Sequence, residues 1–329
     1  MKVGIFGAGA IGGYLGVRLA GALDVVLIGR KPLADAAADG LRALADGVEA
    51  EAQVRVETSA EALRDVDLCL VCVKTAALEE AAQVLEAVLS PECLVVPLQN
   101  GLFARAILQE AGLTRSLAPG LVVFNVLWEG NLFRRATSGP IAVEGGDPRV
   151  AELGRAFRAA GESFVEAEDI RALQMGKLLL NLNNGLCALT GLPLRRFLES
   201  RSARRAFAAV IGEGLRVAQA TGRPVAGFGR IDPRLVRRLL PLPNVLFFRI
   251  AAQMLTIDPE AKTSTLQDLE RGRPTEVDAL HGGIVRLAQA GGIKAPMNAW
   301  VVEQVKGRER GEIGAFDPDR LWRELRLQR

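Results

Sequence analysis

The chain has 329 residues, 49% apolar and 24% charged, and 41 basic against 38 acidic side chains leave a net charge of +3. That length accommodates two domains of ordinary size, and that composition excludes disordered and fibrous classes. The charge is too small and too evenly spread for a nucleic acid partner, and there is no run of about 18 uncharged apolar residues to suggest a membrane span. With no apolar signal region at the start, a cytoplasmic protein is expected.

The first half alternates apolar, β-rich runs with helical patterns. KVGIF (2–6), DVVLIG (24–29), QVRVET (53–58), DLCLVCVK (67–74) and CLVVPLQ (93–99) are apolar at nearly every position. Strands of a parallel sheet covered on both faces read this way, so a doubly wound α/β domain is predicted. LADAAADGLRALADG (33–47) is alanine-rich and reads as a surface helix and turn. Residues 120–145 shift to β-branched and aromatic runs broken by EGN and SGP, which predicts antiparallel strands extending the sheet. Beyond about Glu168 long helical periods take over. The predicted organisation is a Rossmann-like domain over 1–168 and an all-helical domain over 169–329.

The first strand runs directly into Gly7-Ala8-Gly9-Ala10-Ile11-Gly12, a GxGxxG that opens a helix. In that setting Gly7 permits the tight turn, Gly9 lets the backbone approach a pyrophosphate, and Gly12 allows close helix-to-strand packing. The helix N-terminus then faces the anion. After the second strand, where an NAD enzyme places an acid on the ribose 2′-hydroxyl, the chain has Arg30 and Lys31. Two cations there suit a 2′-phosphate and favour NADP. Lys74 and Asn100 stand at the carboxyl ends of later strands, where ligands of such sheets bind. Each suits a contact to nicotinamide, ribose or substrate, and each also suits a loop residue satisfying backbone groups.

In the helical half, GKLLLNLNNG (176–185) places Lys177, Asn181 and Asn184 at i, i+4 and i+7 on one helical face. A buried ammonium loses affinity for its proton, and two amides beside it can bind a carboxylate and a hydroxyl. A polar stripe against solvent or a domain seam is the alternative. Ser264, Gln267, Asp268, Arg273, Thr275, Glu276 and Asp278 form a second polar group, with Thr275 a candidate helix cap. The cysteines of the C-x-x-C pair, Cys69 and Cys72, point to opposite faces of a strand and read as buried apolar residues. With the single histidine, His281, there is no ligand-like spacing for a metal.

Six motifs in order, GxGxxG, GR after the second strand, VK after the fourth, QNG, GKLLLN and STLQDLERGRPTEVDALHGGIV, make the chain resemble the ketopantoate reductases from residue 1 to about 307. The resemblance implies NADPH-dependent reduction of 2-dehydropantoate in pantothenate biosynthesis, with a helical domain of the 6-phosphogluconate dehydrogenase C-terminal-like kind. It also implies Lys177 as general acid, Glu276 as the carboxylate supporting it and the bound ligands, Asn181 and Ser264 as substrate-binding, and Arg30, Lys74 and Asn100 beside cofactor and substrate. Two positions depart from the family pattern, and both are expected on the substrate side of the cleft. Gly185 stands where many members carry asparagine, and the nearest amides are Asn183 and Asn184, the latter one residue earlier and turned by about 100°. His281 stands where asparagine is common. These departures keep a different branched 2-keto acid open as the substrate. A non-catalytic NADP-sensing protein is the third reading, and the presence of both Lys177 and Glu276 argues against it. VLFFRIAAQML (245–255) is open to two readings, core or homodimer face, and the residues after 307 are expected to form a solvated amphipathic end.

Overall fold

The elements of the first half follow one another as β1 (Lys2–Phe6), α1 (Ala10–Leu19), β2 (Asp24–Ile28), α2 (Lys31–Ala36), β3 (Leu41–Ala45), β4 (Val48–Ala52), β5 (Arg55–Glu57), β6 (Leu68–Val71) and α3 (Leu78–Val88). They continue as β7 (Leu94–Pro97), α4 (Ala104–Glu110), β8 (Gly120–Val122), β9 (Val126–Glu129), β10 (Leu132–Arg135), β11 (Ile141–Glu144), α5 (Pro148–Ala159) and β12 (Phe164–Ala167). This computed structural model describes residues 1–229, 231–251 and 262–328. The chain divides into two compact units, Met1–Ile170 and Arg171–Arg329.

In the first unit β5-β2-β1-β6-β7 form a wholly parallel sheet. Its strands are buried nearly throughout because helices cover both faces, which is why they read as unbroken apolar runs. The strand order reverses between β1 and β6, the position at which such sheets hold their ligands.

Residues 120–145 do not extend this sheet as predicted. β9 and β10 join β3 and β4 in a four-stranded sheet ordered β4-β3-β10-β9, while β8 and β11 join β12 in a three-stranded one. The link to the main sheet is a single parallel bridge from Leu117 to Val95 on β7. The alanine-rich segment departs too: only its first part is helical, and 41–45 is strand β3, paired antiparallel with β4 across Asp46-Gly47. Both turn residues have positive φ, 50° and 80°, the geometry of a two-residue hairpin.

The extra sheet changes the surroundings of α1. Residues 12 to 19 of this helix are all buried, because the parallel sheet lies on one side and the four-stranded sheet on the other. Three glycines make that approach possible. A Cβ at Gly16 would lie 2.4 Å from Leu27, one at Gly12 3.1 Å from Ile5, and one at Gly13 only 2.2 Å from the Phe133 ring of β10.

The second unit contains α6 (Ile170–Asn181), α7 (Asn183–Thr190), α8 (Leu194–Glu199), α9 (Arg201–Ala220), α10 (Pro233–Leu239), α11 (Asn244–Ile250), α12 (Ser264–Glu270), α13 (Val277–Ala290), α14 (Pro296–Glu309) and α15 (Pro318–Leu325). The amphipathic α9 packs against α8, α10, α13, α14 and α15. Its Arg204 is fully buried, donating to the carbonyls of Leu198, Leu240 and Leu242 and to Asn244 Oδ1. The chain end is more than a solvated tail: Leu321 and Leu325 of α15 are buried on α9, and the Phe316 N–H donates to Leu189 O at 2.9 Å. Of the apolar run 245–255, Phe247 is core whereas Val245, Leu246 and Ile250 are exposed. Residues 252–255 lie outside the described residues. Among those described, no helix is long and apolar enough to cross a membrane.

Candidate functional site

The glycine turn is built from β1, α1 and the end of β2. The N–H groups of Gly7 and Ala8 both donate to Ile28 O, at 3.1 and 2.9 Å, so the turn is tied to the strand that leads to Arg30. Gly7 has φ +86°, and a Cβ there would lie 2.7 Å from the Val73 backbone nitrogen. Only glycine fits both demands. Gly9 caps α1, and nothing lies within 4 Å of where its Cβ would be. The open space at Gly9 and the absence of acids from the first turn of α1 suit an anionic pyrophosphate, and the exposed Arg30, as N-cap of α2, stands ready for a further phosphate.

Lys74 is exposed just past β6, and Asn100 is half-buried just past β7. Thr75 Oγ1 donates to Asn100 O at 3.3 Å and brings the two loops together. Sequence reasoning passed over Gln99, which is buried and sends Nε2 to Val71 O and Val73 O at 2.8 and 3.0 Å, clamping the loop that carries Lys74. The signal was its place in PLQNG, a long amide at the end of an otherwise apolar strand. Its Oε1 is buried with no hydrogen-bond partner.

In the second unit Lys177 lies in α6, half-buried. Burial pulls its ammonium down from the ordinary lysine range to about 8, and the Glu276 carboxylate pulls in the opposite direction. The preceding Gly176 has a local cause. A Cβ there would lie 1.7 Å from Ala226 O, and the Ala226 N–H donates to Ala172 O at 3.0 Å, so a loop backbone rests directly on α6. Glu276 is the N-cap residue of α13, but the capping is done by its neighbour: Thr275 Oγ1 accepts from the Val277 N–H at 3.3 Å, and no side-chain cap bond comes from Glu276.

Asn181 is the last residue of α6, half-buried; Ser264 is exposed at the start of α12, which packs on α7. Asn184 does not continue the helix of Lys177. The two helices are parted at Leu182, which has φ −62° and ψ −13°, and Asn184 belongs to α7. Lys177 and Asn181 therefore share one helix, and Asn184 lies on the next. His281, expected on the substrate side, is completely buried, with Gly185 against its ring.

Two family models match, Ketopantoate reductase PanE/ApbA over residues 3–147 and Ketopantoate reductase PanE/ApbA C terminal over 169–309. The 2-dehydropantoate 2-reductase of Mesorhizobium japonicum is 30% identical over 320 residues, covering 88% of this chain and 92% of that one. The homologous enzyme of Halobacterium salinarum is 29% identical, covering 94% and 99%. Among solved structures, a PanE/ApbA family ketopantoate reductase from Ralstonia eutropha JMP134 superposes with a TM-score of 0.81 at 31% identity, covering 95% and 99%. A D-mandelate dehydrogenase, solved with NADH and anilino(oxo)acetate, shares the fold at a TM-score of 0.78 and 22% identity.

Proposed function

The chain belongs to the ketopantoate reductase family of oxidoreductases, and from that premise we propose that it reduces 2-dehydropantoate to (R)-pantoate with NADPH. The observation that carries this reading is Lys177, an ammonium drawn down to about 8 with Glu276 acting on it. A group in that range gives up a proton near neutral pH, which is what the keto oxygen needs as it takes on alkoxide charge.

The roles divide between residues 1–168 and 169–329. Gly7 to Gly12 would hold the pyrophosphate, Arg30 the 2′-phosphate, and Lys74 and Asn100 the nicotinamide end. Bound there, the reduced nicotinamide supplies a hydride. Lys177 donates its proton to the substrate oxygen, Glu276 keeps that ammonium charged, and Asn181, Ser264 and Asn184 orient the acid. Arg30 and Lys31, with no acid beside them in GRK, support NADPH over NADH.

A second reading, reduction of a different bulky or branched 2-keto acid, is favoured by one observation: His281 fills the space at Gly185, so no side chain is available at that position of the Lys177 face. Initial rates with a panel of 2-keto acids, aliphatic and aryl, against NADPH and NADH test both. The first reading expects 2-dehydropantoate with NADPH to give the highest kcat/KM; another acid ranking tenfold or more above it would replace the substrate and keep the reaction.

A further inference from the structure

The parallel pairing of β6 with β7 stops at Val71 and Pro97, where the Leu98 N–H donates to Val71 O at 3.0 Å. Beyond that point the Gln99 side chain takes over. Its Nε2 donates to Val71 O at 2.8 Å and to Val73 O at 3.0 Å, so one amide grips two carbonyls at the end of the neighbouring strand. Both partners are carbonyl oxygens, which only accept, so the NH2 end of the amide has to face them and the direction of each bond is fixed.

β6 lies between β1 and β7, and the other side of residues 71–73 rests on the glycine turn. The Cys72 N–H donates to Phe6 O at 2.8 Å, and a Cβ at Gly12 would lie 3.2 Å from the Cys72 Cβ. A Cβ at Gly7 would lie 2.5 Å from Val73 Cγ1 and 3.1 Å from its Cα. Residues 71–73 are thus held between Gln99 and the turn. Gln99 is 5% exposed, and among the described residues its Oε1 has no hydrogen-bond partner. An apolar side chain would fill that volume without burying an unsatisfied oxygen, which costs free energy. What the amide adds is the pair of bonds to Val71 and Val73.

We propose that Gln99 is a positioning residue for the dinucleotide: by holding the carbonyls of Val71 and Val73, it keeps residues 71–73 against Gly7 and Gly12 and so preserves the shape of the turn that receives the pyrophosphate. It acts through those three residues, and the role rests on the reading of Gly7 to Gly12 as a phosphate turn. A turn this tightly bounded has little freedom to adapt, since Gly7 already needs positive φ and close approach to Val73. Letting Val73 drift would therefore change where the amides of the turn point.

Two measurements on the full chain test this: calorimetric binding of NADP+, and hydrogen exchange of the ligand-free protein read by peptide mass spectrometry. Gln99→Met, which keeps the length of the side chain and removes the donor, is expected to weaken NADP+ binding on the order of tenfold. Adenosine 2′-monophosphate, which carries the phosphate meant for Arg30 but no pyrophosphate, keeps its wild-type affinity in competition with NADP+. Without ligand, peptides covering residues 5–13 exchange faster in the variant, whereas those covering α5 do not. A residue serving only the fold would lower the unfolding midpoint and leave NADP+ affinity unchanged well below it. Unchanged NADP+ affinity, equal weakening of both nucleotides, or unchanged exchange at residues 5–13 overturns the proposal. Should Gln99→Met fail to fold, Gln99→Asn, whose shorter amide cannot reach both carbonyls, is read the same way. No binding of NADP+ by the wild type would remove the phosphate turn itself and this role with it; wild-type binding that the variants leave intact strikes only Gln99.

Discussion

Two charges, the buried Glu162 of the first unit and the half-buried Lys177 of the second, are treated in opposite ways. In the first unit the Glu162 carboxylate is met by Arg18 Nε at 2.9 Å, Arg135 Nη1 at 2.7 Å and the hydroxyl of Tyr14 at 2.5 Å. Two guanidiniums thus meet one carboxylate, and burial, with Glu162 adding to it, pushes the Tyr14 phenol up. In the second unit burial outweighs the carboxylate that acts on Lys177, and the ammonium sits near 8. A charge matched in excess serves the fold, whereas a charge matched incompletely is available for proton transfer.

Mutations at the two sites should therefore fail in different currencies. The largest effect is expected at Glu162: Glu162→Ala leaves two guanidiniums facing each other in the core and should cost about 3–5 kcal/mol in urea unfolding. A loss below about 1 kcal/mol would remove the contrast. Lys177→Ala should lower kcat on the order of 10²-fold or more while the unfolding midpoint changes little; wild-type turnover by this variant would show that the lysine is as structural as Glu162. Arg30→Ala, which touches neither cluster, should lower the ratio of kcat/KM for NADPH over NADH on the order of tenfold, the worth of one charge-assisted contact.

The smallest expected effect is a pH dependence. Since the proposed donor must be protonated, kcat/KM should decline as pH rises through about 8, where Lys177 loses its proton. The sign for stability is the reverse. The lysine in the unfolded chain holds its proton to about 10.4. Between those values the unfolded state binds more protons, so this residue's contribution to stability rises with pH, and unfolding curves at pH 8 and 10 in Lys177→Met and wild type would isolate it.

Much of the first unit is legible because its physics is local. A strand buried on both faces has to be apolar throughout, and a phosphate turn needs glycines at fixed spacing, so β1, β2, β6, β7 and Gly7 to Gly12 stand out in the sequence. β3 reads as helix because LRALA is rich in helix formers; the Asp46-Gly47 pair that follows it is the stronger signal, as a dipeptide suited to a two-residue hairpin. In the second unit Lys177 and Asn181 fall on a helix and Glu276 at the entrance to one, as their surroundings suggest. The break between α6 and α7 at Leu182 has no signal in the residue itself, since leucine is a good helix former and the His281 ring beside its carbonyl lies 99 residues away in the chain. Helical periodicity carries no term for such a partner, and the placement of Asn184 was lost with it.

Helix α1 has a consequence of a different kind. With Gly12 and Gly16 keyed to the parallel sheet and Gly13 keyed to the Phe133 ring, it is gripped from both sides and has no room to slide or roll. The aim of its N-terminus is therefore set from behind, by a hairpin remote in sequence from any phosphate contact. Variation at Phe133 offers a route by which dinucleotide affinity can drift while the whole GxGxxG stays intact, so an unaltered fingerprint in a relative need not mean unaltered affinity.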